Sequence, residues 1–169
     1  MKKIIHLTVF LALIAALAGA ALGFANSMTA PVIAKNDLEA EKQTLKVIYP
    51  DGKFEVVEKN VSKTIEKVFK VEGKGYIFKM KVSGYKDGTS FLVALKADGS
   101  VDDYVAISNG DTQGIGTKVT EDSFRTTLKG KNALDGSILN DTITGATVSS
   151  QPIVKGIEEA AKYQAEKLK

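Results

Sequence analysis

The chain has no cysteine and a single histidine, His6, among its 169 residues. Without a thiol it cannot build thiolate-ligated zinc, a cysteine-ligated iron–sulfur cluster, a disulfide or a cysteine nucleophile from its own residues. It also lacks the cysteine that a bacterial lipid anchor acylates. No metal site and no catalytic residue is read from the sequence. Charge of one sign is scarce as well: the net value is +3, and the lysines of the second half are interspersed with acids. That pattern forms no nucleic-acid patch. With 44% apolar and 25% charged residues, the composition suits one ordinary globular domain plus an appendage.

The appendage is residues 1–25. Lys2 and Lys3 precede Ile4–Ala25, which carries no Asp, Glu, Lys or Arg. About 22 residues at 1.5 Å each reach about 33 Å, enough to cross a hydrocarbon core of about 30 Å. We read a retained membrane anchor. The alternative is a cleaved secretory signal, since the run is Ala-rich and Phe24-Ala25 before Asn26 resembles a cleavage site, although the run exceeds the roughly 7–15 residues of a signal core. No basic residue follows the run until Lys35, so the rest of the chain is expected on the extracytoplasmic side of the cell membrane. His6 reads as a bystander near the interface rather than a proton relay. Residues 26–53 read as a helical stalk: Ile33, Leu38, Leu45 and Ile48 recur among Lys, Glu and Gln, and the helix stops before Pro50 in the turn Tyr49–Gly52. Its mixed charges favour a solvated stalk over a partner-binding helix.

Residues 54–169 form the expected domain. Phe54–Val71 has no clear period. Beyond it Tyr76, Phe78, Met80 and Val82 alternate with Ile77, Lys79 and Lys81, a half-buried strand. After the turn Gly84–Gly88, Phe91–Lys96 gives a second strand, and the hairpin signal Asp98-Gly99 leads to a third at Val101–Ile107. Short turns between consecutive strands argue an antiparallel sheet. Glu121–Leu128 reads as a short helix closed by Gly130. The fold class is therefore α+β: a transmembrane helix, then one domain with an antiparallel sheet flanked by helices.

Two loops carry chemistry. Asp141-Thr-Ile-Thr144-Gly145-Ala146-Thr147-Val-Ser149-Ser150 packs five hydroxyl residues around Gly145 and Ala146. Ser150 and Pro152 read as the N-cap and first turn of a helix whose apolar face is Ile153, Val154, Ile157, Ala160, Ala161 and Leu168. A helix start offers unpaired N–H groups and the positive end of a dipole, which suits a phosphate. Asp141 closes an Asx-turn or is read by a docking enzyme. The other loop, Asp111-Thr112-Gln113-Gly114-Ile115-Gly116, lacks the third glycine of a dinucleotide fingerprint and by itself reads as a tight loop.

Together, in this order, the two loops resemble the FMN-binding domain family, found in the G subunit of Rnf-type ion-translocating oxidoreductases and in the C subunit of sodium-translocating NADH:quinone reductase. The similarity covers about Tyr76 to Tyr163 and extends to the anchor and the segment after it. In that family the last Thr of Ser/Thr-Gly-Ala-Thr carries FMN through a phosphoester, which corresponds to Thr147 here. Glu-Thr-Pro-Gly-x-Gly lies against the flavin, and this chain departs from it by Asp111 for Glu and Gln113 for Pro. The Pro change removes a fixed φ and adds an N–H.

The resemblance implies covalent FMN on Thr147, with Asp141, Thr144, Gly145, Ala146, Ser149, Thr112, Gly114 and Gly116 around it. Threonine is a poor nucleophile with no base beside it here, so a magnesium-dependent flavin transferase using FAD is implied. It also implies a subunit without independent turnover, carrying electrons beside other subunits of a membrane complex that couples NADH and ferredoxin to Na⁺ or H⁺ transport. The compact length favours the Rnf-type family member. The alternatives are a free-standing flavinylated carrier, the C subunit of the quinone reductase and, from another class, a non-enzymatic extracytoplasmic binding module in which the hydroxyl turn is only a cap.

Overall fold

The computed structural model describes residues 2–168, apart from the side chains of residues 34, 37 and 38. One helix, α1 (Lys2–Ile48), precedes five strands: β1 (Phe54–Lys59), β2 (Ile65–Val71), β3 (Gly75–Val82), β4 (Thr89–Leu95) and β5 (Val101–Asn109). A 3₁₀ turn (Gly116–Thr120), helix α2 (Asp122–Leu128), a second 3₁₀ turn (Ser137–Asn140) and helix α3 (Thr147–Lys167) complete the chain. It divides into two compact units, Met1–Ala40 and Glu41–Lys169.

In the first unit, Lys2–Ile33 is 32 residues whose most apolar 18-residue stretch has a mean hydropathy of 2.4, long and apolar enough to cross a membrane. Its Leu, Ile and Phe side chains face outward, uncovered by the protein. Apolar surface left in water forgoes about 25 cal/mol per Å², so this helix suits an apolar surrounding.

In the second unit the strands pair in chain order, every pair antiparallel. This is the expected antiparallel sheet, enlarged by two strands from the stretch where no period could be read. Register shifts between Val56 and Glu58, and between Ile65 and Lys67, explain the difficulty. Each bulge moves the following side chains to the other face, so the period of two never runs long.

One face of the sheet meets α2 and α3, where Phe78, Met80, Phe91 and Leu95 share a core with Leu128, Ile153 and Ile157. The opposite face corrects an expectation. Ile77, assigned to the wet side of a half-buried strand, is fully buried in a second core with Phe69, Leu92 and Ala94. Leu45 and Ile48 of α1 and the adjoining Tyr49 cover them. The last turns of α1, expected as solvated stalk, therefore pack on the sheet: Glu41, Leu45 and Ile48 are buried.

Glu41 brings its charge into this packing. It accepts hydrogen bonds from Lys67 at 2.8 and 2.9 Å and from Lys79 at 2.7 Å, while Lys79 also faces Glu66 at 3.5 Å. Burial opposes the Glu41 charge, but the hydrogen bonds from Lys67 and Lys79 outweigh it and hold the carboxyl below its usual range. On β5, Asp103 is arranged alike. Burial opposes its charge, and the Arg125 fork of α2, at 2.8 and 2.7 Å, keeps its carboxyl low.

A carboxyl whose folded pKa lies below its unfolded value, about 3.9 for Asp and 4.3 for Glu, stabilises the fold above that value and loses its contribution as pH falls through the folded pKa. The Tm of the full chain in detergent should hold from neutrality to about pH 4.5 and drop below it. Glu41→Ala leaves two lysines facing each other, and should cost about 3 kcal/mol, the lower end for a broken buried pair, since Lys67 and Lys79 keep side-chain exposures of 23% and 13%. Urea unfolding at pH 7 checks this, and an unchanged midpoint would refute it.

Candidate functional site

Strands β3, β4 and β5 end together, because Val82 pairs with Thr89 and Thr89 with Asn109. The β3–β4 turn and the chain leaving β5 therefore emerge side by side. Asp111, 8% exposed, joins them: its Oδ1 accepts from the N–H groups of Lys86 at 2.9 Å and Gly88 at 3.3 Å. Burial opposes this charge, yet the Lys86 N–H, the Ser149 hydroxyl and the Gly88 N–H hold the carboxyl below its usual range. The same residue packs beside the first turn of α3, since a Cβ on Gly116 would meet both Asp111 Cβ and Ser149 Oγ. The packing is close, since a Cβ on Gly84 would collide with the Asp111 carboxylate.

The loop after Asp111 winds around one carbonyl. Thr112 accepts from the N–H groups of Ile115 at 3.2 Å, Gly116 at 2.8 Å and Thr117 at 3.3 Å. Gly114 has φ +75°, which glycine adopts without penalty, and donates its N–H to Thr117 Oγ1 at 2.9 Å. These bonds shape the loop without the proline that Gln113 replaces. The following 3₁₀ turn is fixed to the core by Tyr104, whose hydroxyl donates to the Val119 carbonyl at 3.1 Å. The Tyr104 ring lies 5.2 Å from that of Phe91 and 5.6 Å from that of Phe124.

The hydroxyl-rich stretch folds differently from the sequence reading. Ala146 donates its N–H to the Ile143 carbonyl at 2.8 Å, closing a turn with Gly145 at φ +82° in its third position. A type II turn requires positive φ there. α3 begins at Thr147, with Ala146 in the cap position and no side-chain cap bond. Ser150 is thus not the N-cap. It lies inside the first turn, where its hydroxyl donates to the Ala146 carbonyl and accepts from the Ile143 N–H, both at 3.0 Å. Pro152 falls one turn deeper than expected and leaves the Val148 carbonyl without its helical donor. Thr147 becomes the first helical residue, and its N–H and that of Val148 have no partner within the helix.

Thr112, Gly116, Gly145, Ala146, Thr147 and Ser149 come together around a half-open cleft of about 380 Å³, which Tyr85, Ile115 and Val148 complete. Thr147 is exposed to it, while Ala146 and Ser149 are buried in its wall. Three expected site residues do not line it. Gly114 shapes the loop, and Thr144 sits exposed on the turn. Asp141 pairs with Lys131 and lines a separate cavity of about 240 Å³. Nor does Asp141 close an Asx-turn, because the N–H two residues on, that of Ile143, bonds to Ser150 instead. Sequence reasoning missed Tyr85, Ile115 and Val148, exposed by 69%, 52% and 60%. Only the flanking glycines 84 and 88 hinted at Tyr85.

The volume is in the range of small-molecule sites, about 300–1,000 Å³. Apolar Tyr85, Ile115 and Val148 suit a flat heterocycle, and the helix start with Thr147 and Ser149 suits a phosphate. FMN combines those two parts, and the residues present fit it.

Comparison with known proteins agrees. Residues 84–162 match the FMN-binding domain, a span that contains every residue lining the cleft. The chain is 30% identical over 152 residues to the G subunit of the proton-translocating ferredoxin:NAD(+) oxidoreductase complex of Clostridium ljungdahlii, covering 80% of this chain and 77% of that protein. The chain belongs to the FMN-binding domain family, and within it to the type found as the G component of Rnf complexes.

Two glycines separate shape from space. A Cβ on Gly116 would lie 2.5 Å from Asp111 Cβ and 2.8 Å from Ser149 Oγ, whereas one on Gly114 meets nothing within 4 Å. Gly116→Ala should cost about 1–3 kcal/mol by overpacking and lower the flavin content. Gly114→Ala should cost about 1–2 kcal/mol through its left-handed φ and leave flavin content intact. Urea unfolding and flavin absorbance per protein measure both; equal flavin content in the two variants would refute the assignment of Gly116 to the cleft wall.

Proposed function

We propose that the protein is the FMN-bearing electron carrier of an Rnf-type membrane complex, with FMN joined by a phosphoester to Thr147. The observation that carries this reading is the exposed Thr147 hydroxyl, at the first residue of α3, opening on the cleft that both loops line. The relative's complex is a ferredoxin:NAD(+) oxidoreductase by name. By analogy this chain relays electrons between neighbouring redox subunits, in a complex that couples transfer to Na⁺ or H⁺ transport, and does not turn over alone.

Attachment needs an outside enzyme. Thr147 Oγ1 forms a bond to the flavin-side phosphorus of FAD, the P–O bond of the anhydride breaks, AMP leaves, and the hydroxyl proton passes to a base of the magnesium-dependent flavin transferase. No described histidine or carboxylate lines the cleft to serve as that base. The exposed turn at Thr144 and Gly145 leaves the acceptor open to another protein's active site.

Bound FMN supplies the redox chemistry, while this chain fixes its place and surroundings. Tyr85, Ile115 and Val148 would cover part of the ring. The apolar Lys2–Ile33 segment would act as a single-pass anchor. Lys2 and Lys3 at its start, with no further Lys or Arg until Lys35, would put the N-terminus in the cytoplasm and the flavin domain outside.

Co-expression with a flavin transferase followed by intact mass measurement tests the reading. Wild type, Thr144→Ala and Thr147→Ser should each gain one FMN less one water, and Thr147→Ala should gain none. An unmodified mass in every sample would instead favour a binding module in which the turn is only a helix start.

A further inference from the structure

In the function proposed, Asp111 has a structural part but no role toward the flavin. Its setting differs from that of the other buried and half-buried carboxylates that form ion pairs. Glu41 faces two lysines, Asp103 faces Arg125 and Lys129, and Asp141 faces Lys131. Asp111 has no lysine or arginine within ion-pair distance among the described residues. Its hydrogen-bond partners are the N–H groups of Lys86 and Gly88, both on Oδ1, while Oδ2 is buried without a partner among those residues. Dipoles hold the charge in place without cancelling it.

The charge also sits against the cleft. Gly116 and Ser149 line it, and Asp111 packs directly behind Gly116: a Cβ there would lie 2.5 Å from Asp111 Cβ and 2.8 Å from Ser149 Oγ. One bare backbone segment separates the carboxylate from the space where a ligand would lie. Asp111 itself is only 8% exposed, so screening of its charge is weaker than in bulk solvent.

We propose that the uncompensated Asp111 carboxylate lowers the reduction potential of the flavin in this cleft, making Asp111 an electrostatic positioning residue for a low-potential carrier. This rests on the reading that FMN occupies the cleft. Each electron that a donor subunit adds to the ring adds one negative charge until a proton from solvent follows, and a fixed negative charge nearby disfavours that addition. The same carboxylate would repel a free flavin phosphate. A phosphoester to Thr147 makes retention independent of affinity, so the repulsion is expressed in the potential rather than in the loading.

The test is a spectroelectrochemical titration of the full chain, flavinylated by co-expression and purified in detergent, with FMN content verified by intact mass. Asp111→Asn keeps the shape and leaves Oδ1 to accept from Lys86 and Gly88. Its midpoint potential should shift to a more positive value, and Asp111→Glu, which keeps the charge, should stay near wild type. Asp111→Ser, smaller and also neutral, gives the same reading where the asparagine variant folds poorly. Neutral variants that carry FMN at the wild-type potential would overturn the proposal. An absence of FMN from wild type itself would instead overturn the parent reading.

Discussion

The cleft depends on one carboxylate that touches all three segments forming it. Asp111 binds the turn between β3 and β4 through Lys86 and Gly88, belongs to the loop after β5, and packs with Ser149 of α3 around Gly116. These segments lie tens of residues apart in the chain, and loop backbones carry polar groups that must find partners when buried. A carboxylate can accept several such donors at once, and hydrogen bonds to a charged acceptor are roughly twice as strong as neutral ones. Nothing larger than hydrogen would fit at Gly84 or Gly116 without moving it. The two small residues therefore belong to the acid's coordination as much as to the backbone's shape.

The clasp works because the sheet behind it is rigid. An antiparallel sheet often leaves one face to water, and here the central strands are buried on both. The face toward α3 holds the cleft's frame: Tyr104, between Phe91 and Phe124, fixes the 3₁₀ turn, while Ile153 and Ile157 fix α3. Gly156 lets α3 approach, since a Cβ there would already touch Val82 and Met80 at 3.2 and 3.4 Å. The other face is closed by the end of α1, with Glu41 between two lysines. Thr147 is thus presented by a helix that cannot easily shift relative to Asp111.

Much of this was legible in advance. The strands at residues 76–107, the helix ending at Leu128 and the two site loops follow from alternation, turn residues and motif order. What stayed hidden was hidden for physical reasons. The bulges in β1 and β2 scrambled the alternation of residues 54–71. Lys79, on the same face as Ile77, signalled water because its partner Glu41 lies 38 residues away. The start of α3 was misplaced by about one turn because Ser150 and Pro152 satisfy the usual signs of a helix start. The actual start rests on a backbone turn that only Gly145 betrays. Asp141 looked like a site residue, and its pairing with Lys131 turns it to the next cavity. Tyr85, Ile115 and Val148 belong to no motif, and exposure, which sequence does not report, is what gives them meaning.

A surface cleft faces opposing demands if its ligand is to exchange electrons with neighbouring proteins. Openness shortens the path to a partner, but an open wall contributes little buried area and so little affinity. An acidic wall weakens the hold on a phosphate further. On the reading proposed, the covalent bond resolves this conflict: affinity no longer limits occupancy, so cleft shape and charge are free to serve access and potential. The residues that carry this trade are few. Thr147 would supply the bond, Gly116 and Gly145 keep the walls bare, and Asp111 holds those walls together with a charge that a noncovalent flavin site would tolerate poorly.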